Sequence, residues 1–325
     1  MKTNNTQTES YICDSIITSA NRWDHFLARF GWRRSHHRVK PGLYKLGNPT
    51  QESPVFVSAN YTLSFDVLRS SLKGIDCYIL VLDTKGINVW CAAGKGTFGT
   101  EELVHRIEIT KLSEVVKHGT IILPQLGAAG VCAHEVRKRS GFKVEYGPVR
   151  ALDLPKYLET RTANAEMRRV RFNLKDRLVL IPVEIKAFLF IMIVVILTGL
   201  FTQEIWKSLQ IFGILITGLV LFPILLPWVP TRDFTTKGFL LGSVAVIMIY
   251  SLPSYLVNGI VGWALVLETL IHMLIMAPVV AYLALNFTGS TTFTSRTWVK
   301  REIFKYIPIL AVMIISGIVL SVIRS

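Results

Sequence analysis

From about Val183 onward the chain is dominated by apolar runs such as AFLFIMIVVILTGLF and FLLGSVAVIMIYSLPSYLV, which carry almost no charge. Such runs approach the roughly 20 residues that a helix needs to cross the hydrocarbon core of a bilayer. Inside a bilayer every backbone amide must be paired within the protein, which leaves the helix as the form for segments of this length. An all-α transmembrane bundle of five helices is therefore expected, with spans at about 186–203, 209–229, 238–257, 260–286 and 306–323. The preceding residues mix charged and apolar segments like a soluble protein. The expected organisation is an N-terminal basic and aromatic extension at 1–50, an α/β domain at 51–165, a basic juxtamembrane linker at 166–182 and a transmembrane domain at 183–325.

The first residues, MKTNNTQTESYICDS, contain neither an apolar core nor a small-residue cleavage site of the secretory type. The soluble half is thus expected in the cytoplasm and the bundle in the inner (cytoplasmic) membrane. The charges agree with that orientation. Arg232, Lys237, Arg296, Lys300, Arg301 and Lys305 fall in the two loops that would face inward, against mainly Lys207 and Arg324 on the other side. The net charge of +14 raises nucleic acid as a partner, but its placement argues against one. Arg168, Arg169, Arg171, Lys175 and Arg177 crowd the start of the first span, where membrane lipid is the simpler counterion. The second basic run, RRSHHRVK at 33–40, is read as a solvated face.

In the soluble half, VFVSAN (55–60), DCYILVLD (76–83), TIILPQLG (120–127) and FKVEYGP (142–148) are apolar runs that predict buried strands. TLSFDVLRSSLK, with Leu63, Val67, Leu68 and Leu72 at helical spacing, and VCAHEVRKRSG, closing on Gly141, predict helices between them. Strands alternating with helices, each strand apolar throughout, predict an open parallel α/β sheet. Ligands in such sheets sit at the carboxyl ends of the strands.

One of those ends leads into NVWCAAGKG, residues 88–96. Asn88 is a good N-cap, so a helix is expected from Val89. Cys91 would then lie in the first turn, where the positive helix end favours a thiolate. Ala92, Ala93 and Gly94 leave that turn nearly free of side chains, and a flat object could lie against it. The alternative is a buried small hydrophobe, as expected for Cys77 and Cys132. The four cysteines, Cys13, Cys77, Cys91 and Cys132, include no CxxC pair, so neither a common zinc site nor an iron–sulfur cluster follows from them, and a cytoplasmic disulfide framework is not expected. A protease-type thiol needs a histidine base, and the sequence alone does not place His105, His118 or His134 beside Cys91. AAGKGT is not a phosphate-binding loop, since Val89 stands where the first glycine belongs and Gly96 where Ser or Thr should follow the lysine.

Asn88, Val89, Trp90, Cys91, Ala92, Ala93, Gly94 and Lys95 match without departure the cap-helix motif of the HgcA family, the membrane-anchored corrinoid proteins of microbial mercury methylation. The segment from about Ser53 to Glu159 also resembles the corrinoid-binding domain of the large subunit of the corrinoid iron–sulfur protein, through VFVSANYTLSF, YILVLDTKGINVW and LPQLGAAG. The five-span tail fits the first family and not the second. The resemblance implies a Rossmann-like fold around a cobalamin-type corrinoid, bound base-off, with the Cys91 thiolate as the lower axial ligand of cobalt. It also implies a corrinoid-dependent methyltransferase, which takes a methyl group from a folate-type donor, through a separate methyltransferase, and passes it to Hg(II) to form methylmercury. The implied electron donor is a ferredoxin-like protein with two 4Fe-4S clusters. The DxHxxG motif that gives other base-off proteins a histidine ligand is absent, and the acetyl-CoA pathway relative lacks the thiolate.

Further contacts with the cofactor are expected of Ser58, Asn60 and Thr62 after the first strand, of Gln125, Gly127 and Ala128 after the third, and of Gly147, Pro148 and Val149 after the fourth. All could equally be turn residues. Asn88 would fix the helix angle, Trp90 anchor the helix or cover the lower face, and Lys95 meet a propionamide or phosphate. The spans contain no cysteine, which leaves a mercury relay across the bilayer unsupported. Glu268 and His272 share one helix face and suit a helix–helix hydrogen bond, while Pro223, Pro227, Pro253 and Pro278 should kink or end spans. Two other functions fit this pattern. One is a membrane-bound corrinoid methyl carrier of one-carbon metabolism with another acceptor, and the other is a transporter with a cytosolic corrinoid sensor.

Overall fold

The computed structural model describes residues 10–33, 36–291, 294 and 296–324. Residues 34 and 35 of the basic run, and residues 292, 293 and 295 with the Arg296 side chain in the last loop, lie outside the described residues, as do 1–9 and 325. The chain divides into two compact units, Met1–Arg171 and Phe172–Ser325.

The first unit holds a six-stranded sheet in the order β1-β2-β4-β3-β5-β6. Its elements run β1 (Ser10–Cys13), α1 (Ser19–Arg29), β2 (Gly42–Leu46), β3 (Val55–Ala59), α2 (Thr62–Ser71), β4 (Cys77–Leu82), α3 (Val89–Lys95), α4 (Thr100–Ile109), α5 (Leu112–Val115), β5 (Thr120–Leu123), α6 (Ala133–Ser140), β6 (Lys143–Tyr146) and α7 (Leu154–Thr160). The expected strands are β3 to β6, and they pair in parallel. The sheet as a whole is mixed, because β2 lies antiparallel against β4, with Leu43 opposite Leu80. β1 then adds in parallel to β2. Ser10–Cys13 and Gly42–Leu46, both within the stretch expected to be an extension, are thus strands of the sheet.

Alternation along the strands sorts the core into two layers. Val55, Val57, Leu80, Leu82, Ile121 and Leu123 face α3, α4 and α6. Phe56, Ile79, Val81 and Ile122 face α2 and α7. Each such buried side chain contributes about 1.5–3 kcal/mol, and burial on both faces is why these strands read as continuous apolar runs. On α2 the buried face is Phe65, Leu68 and Leu72, whereas Val67 is exposed. The charged Asp66 and Arg69 are buried with that face because α1 covers them: His25 Nε2 lies 2.7 Å from Asp66, and Arg69 Nη2 donates to Asn21 Oδ1 at 3.2 Å.

Among the described residues of the second unit, five helices are long and apolar enough to cross a membrane: Leu174–Thr202, Ile205–Leu225, Phe234–Leu256, Gly262–Ser290 and Thr297–Arg324. The fifth starts well before the apolar run, so Lys300, Arg301 and Lys305 are helical and not in a loop. Gly238 and Gly242 lie against Ala284, Val280 and Ala277, where a Cβ would come within 2.4–3.0 Å, so small residues set the approach of the third and fourth helices. Pro223 and Pro253 each follow a π-helical turn, Thr217–Leu221 and Ile247–Ser251, the wider turn relieving the clash of the ring with the preceding carbonyls. Pro227 lies just past the second span, and Pro278 is held inside the fourth. Glu268 accepts from Ser254 Oγ at 2.8 Å and pairs with Arg324 at 3.2 Å, while the His272 ring stacks on Tyr250.

Glu302, 2% exposed, caps the third helix from the fifth. Its carboxylate accepts from Phe234 N (3.3 Å), Thr235 N (3.2 Å), Thr235 Oγ1 (2.9 Å) and Trp298 Nε1 (2.9 Å). Glu302→Ala leaves the buried donors of Phe234 and Thr235 without this acceptor and is expected to cost about 2–3 kcal/mol. Thermal unfolding in detergent checks this, with Glu302→Gln expected to recover part of the loss through its remaining carbonyl.

Candidate functional site

Because β3, β4, β5 and β6 run in parallel, the segments that leave Ala59, Leu82, Leu123 and Tyr146 gather along one edge of the sheet. The segment after β4 carries the cysteine. It turns at Lys85 (φ 59°) and Gly86 (φ 72°), both left-handed, and reaches Asn88 in extended conformation. Asn88 Oδ1 accepts from Cys91 N at 2.9 Å, so the expected cap is formed and Cys91 occupies the first turn of α3. Gly96, in the left-handed conformation at φ 83°, ends the helix.

α3 is pinned from beneath. Gly130, in the loop after β5, lies so close to it that a Cβ there would stand 2.9 Å from Ala93 Cα and 2.2 Å from Phe98 O. Only glycine permits this approach. Ala92, Ala93 and Phe98 are buried, Trp90 and Cys91 are half-buried, and Gly94 and Lys95 are exposed. The space above Gly94 is open, with nothing within 4 Å of where a Cβ would be. The helix therefore offers a thiol and a nearly bare turn on a rigid mount.

The loop before α3 is fixed by a side chain from the neighbouring strand. Asn60, at 1% exposure, accepts through Oδ1 from Thr84 N (3.1 Å), Thr84 Oγ1 (2.9 Å) and Gly86 N (3.0 Å), and donates through Nδ2 to Asp83 Oδ1 (3.0 Å). Glu102 of α4 accepts from Asp83 N at 2.8 Å. Thr84, Asp83, Glu102, Phe98 and Gly130 were not among the expected site residues. The turn sequence DTKG was the only local signal of the first two.

Several expected ligand contacts take other roles. The Asn60 amide is occupied by the 83–86 turn. Ser58 is buried at 3% and donates to Ala59 O, and Thr62 Oγ1 donates to Asp24 Oδ2 at 2.8 Å. These end-of-strand polar residues already hold partners within the protein: a backbone carbonyl for Ser58, the 83–86 turn for Asn60 and the Asp24 carboxylate for Thr62. The other two groups adjoin each other: Gln125 N donates to Pro148 O at 3.4 Å and Gly147 N to Leu123 O at 2.8 Å. Gln125 Oε1 accepts from Arg168 Nη1 at 2.7 Å. Gly127 is buried against Phe98, Pro148 is buried, and Ala128 and Val149 are half-buried. Tyr146 donates to Val131 O at 2.6 Å and so holds the loop that carries Gly130; burial pushes its hydroxyl pKa up.

The thiols differ sharply. Burial pushes Cys77 up to about 12 and Cys13 up to about 11, whereas Cys132 is exposed and Cys91 half-buried. Alkylation near neutral pH is therefore expected at Cys132 and Cys91 and not at Cys77, as read by peptide mass mapping.

Comparison with known proteins falls on this same unit. A family described as CO dehydrogenase/acetyl-CoA synthase delta subunit (CdhD) matches residues 27–158. The relatives carry a related name. The acetyl-CoA decarbonylase/synthase complex subunit gamma of Methanopyrus kandleri is 34% identical over 128 residues, 39% of this chain and 27% of that protein. Those of Archaeoglobus fulgidus (31% over 128 residues, 39% and 27%) and Methanocaldococcus jannaschii (36% over 98 residues, 30% and 20%) are similar in the same way. The chain spans about a quarter of the length of the M. kandleri and A. fulgidus relatives. The matched segment begins in α1, in keeping with a domain that includes residues before 51.

Proposed function

We propose that the first unit binds a cobalamin-type corrinoid in base-off form, with Cys91 as the lower axial ligand of cobalt, and that the chain is a methyltransferase to Hg(II). The observation that carries this reading is the half-buried Cys91 in the first turn of a capped helix whose next residues are Ala92, Ala93 and Gly94, with open space above Gly94. The donor set fits such a group: a single sulfur beside a bare turn suits one axial position and a broad flat ring. The similarity to acetyl-CoA decarbonylase/synthase subunits supports a role in one-carbon metabolism.

A corrinoid, when bound, supplies a cobalt centre able to accept and release a methyl group. The chain's residues do the rest. Asn88 orients the first turn, Gly130 and Phe98 keep α3 from rocking, and Asn60 sets the turn that leads into it. Cys91 would hold the group through an electron-rich sulfur, which would favour release of a methyl group to an electrophile such as Hg(II). Ser58, Asn60, Thr62, Gln125, Gly127, Ala128, Gly147, Pro148 and Val149 lie on the segments that would contact the ring edge and its nucleotide tail. The electron donor is proposed to be a ferredoxin-like protein with two 4Fe-4S clusters, and the methyl source a folate-type donor acting through a methyltransferase. The apolar helices would hold the protein in the cytoplasmic membrane, with the first unit on the inner side.

A second reading, a membrane-bound methyl carrier with an organic or metal-cluster acceptor, is favoured by the names of the relatives, which are those of acetyl-CoA decarbonylase/synthase subunits. Anaerobic assay of the corrinoid-loaded, reduced protein separates the two. Methylmercury formed from added Hg(II) supports the first reading, and methyl uptake without methylmercury supports the second. Loading is also expected to protect Cys91, and not Cys132, from alkylation.

A further inference from the structure

The aromatic face of α1 has no role in the site described above. Within residues 12–32, the side chains of Ile12, Ile16, Trp23, Phe26 and Trp32 are 52–86% exposed, whereas elsewhere in the unit such side chains are exposed singly, as Ile109 on α4 is. The rings form a row: Trp23 stacks on Phe26 at 5.4 Å and Phe26 on Phe30 at 6.3 Å. Arg22 and Arg29 are exposed on the same side of the helix, and Arg33 is exposed just beyond it. The helix cannot roll to bury the rings, because its other side is committed. Asp24 accepts from Thr62 Oγ1 and lies 2.7 Å from His37 Nδ1, His25 pairs with Asp66, and Ala28 is buried. Asp24, the one acid in α1, is therefore turned away from the aromatic row.

We propose that this face of α1 docks on the surface of an anionic bilayer, with the rings at headgroup depth and the arginines on lipid phosphates. Aromatic rings beside arginines, with Asp24 turned away and the exposed Asp14 paired with Arg69 at 3.0 Å, are the composition of an interfacial helix. An 11-residue helix binds lipid weakly alone, since each arginine near an anionic surface adds only about 1 kcal/mol. This chain continues at Phe172 into helices apolar enough to cross a membrane, so the bilayer is a tethered neighbour at high effective concentration. The inference does not depend on the corrinoid reading.

The test uses the full chain reconstituted in vesicles with about 30 mol % phosphatidylglycerol, with and without bromine-labelled lipid. Trp23's share of the emission is taken as the difference between the parent and Trp23→Phe. That share should fall about twofold or more with bromolipid, as for an indole at headgroup depth. Quenching should be lost in about 1 M salt, where the Debye length is about 3 Å, and in Arg22→Glu/Arg29→Glu with unchanged circular dichroism. A Trp23 share open to aqueous acrylamide and indifferent to bromolipid would overturn the proposal. So would one shielded from both quenchers, which would mean that protein covers the face. Equal quenching in purely zwitterionic vesicles would remove the arginine–phosphate part and overturn it as stated.

Discussion

Replacing Cys91 by alanine is expected to leave the first unit folded and to reduce methylmercury formation by more than about 100-fold, beyond the 10–100-fold typical when only an outer-shell partner of a metal ligand is lost. The fold survives because the Cys91 backbone N–H, and not its sulfur, makes the bond to Asn88. Alanine is the best helix former and keeps that bond. Cys91 is half-buried on a helix whose turn at Gly94 is open, so loss of its sulfur is expected to leave no closed cavity. Thermal unfolding of parent and variant should therefore agree closely, while the anaerobic assay separates them. A variant that unfolds at the parent temperature and still methylates Hg(II) at the parent rate would remove Cys91 from the chemistry.

Asn60→Ala is expected to have the opposite profile, a large loss of stability first and of activity as a consequence. One buried amide holds Thr84 N, Thr84 Oγ1 and Gly86 N and donates to Asp83. Alanine leaves three donors without that acceptor in a turn already at positive φ for Lys85 and Gly86. The expected cost is about 1–3 kcal/mol, the penalty of one buried unsatisfied group, since Thr84 N can still donate to Leu82 O and the hydroxyl to Ile87 O, which leaves Gly86 N without an acceptor. Tryptic cleavage after Lys85, which is exposed, should accelerate as the turn opens. Asn60→Asp keeps an acceptor for the turn but sets a second carboxylate against Asp83. Its defect should be greatest at neutral pH and lessen as the pH falls and one of the pair takes a proton. Equal proteolysis of parent and Asn60→Ala would show that the clamp does not hold the loop.

The parts of this protein that were legible in the sequence are those in which one local rule decides. Asn88 before an alanine-rich turn specified α3 and its first residue, and unbroken apolar runs specified β3 and β4, whose side chains are buried on both faces. The apolar spans were legible from length alone, but not their ends: the fifth helix runs back to Arg296 through residues tied to the third, with Glu302 on Thr235 and Tyr306 on Asp233. β1 and β2 were missed because SYIC and GLYKL are short, and each becomes a strand only by pairing with another part of the chain. The partners of Asn60 and Thr62 were not legible for a related reason: a polar residue at the end of a strand does not announce that Thr84 or Asp24 will lie beside it. Val67, expected on the buried face of α2, is exposed and Phe65 is buried, because helical spacing alone does not say which side of α2 the sheet occupies.

The measurement that bears most directly on the central claim is X-ray absorption at the cobalt edge of the corrinoid-loaded full chain, parent against Cys91→Ala. A sulfur neighbour of cobalt in the parent, replaced by a light atom or an open position in the variant, is the predicted result. Identical spectra from two proteins loaded to the same extent would contradict the assignment of Cys91 as the cobalt ligand.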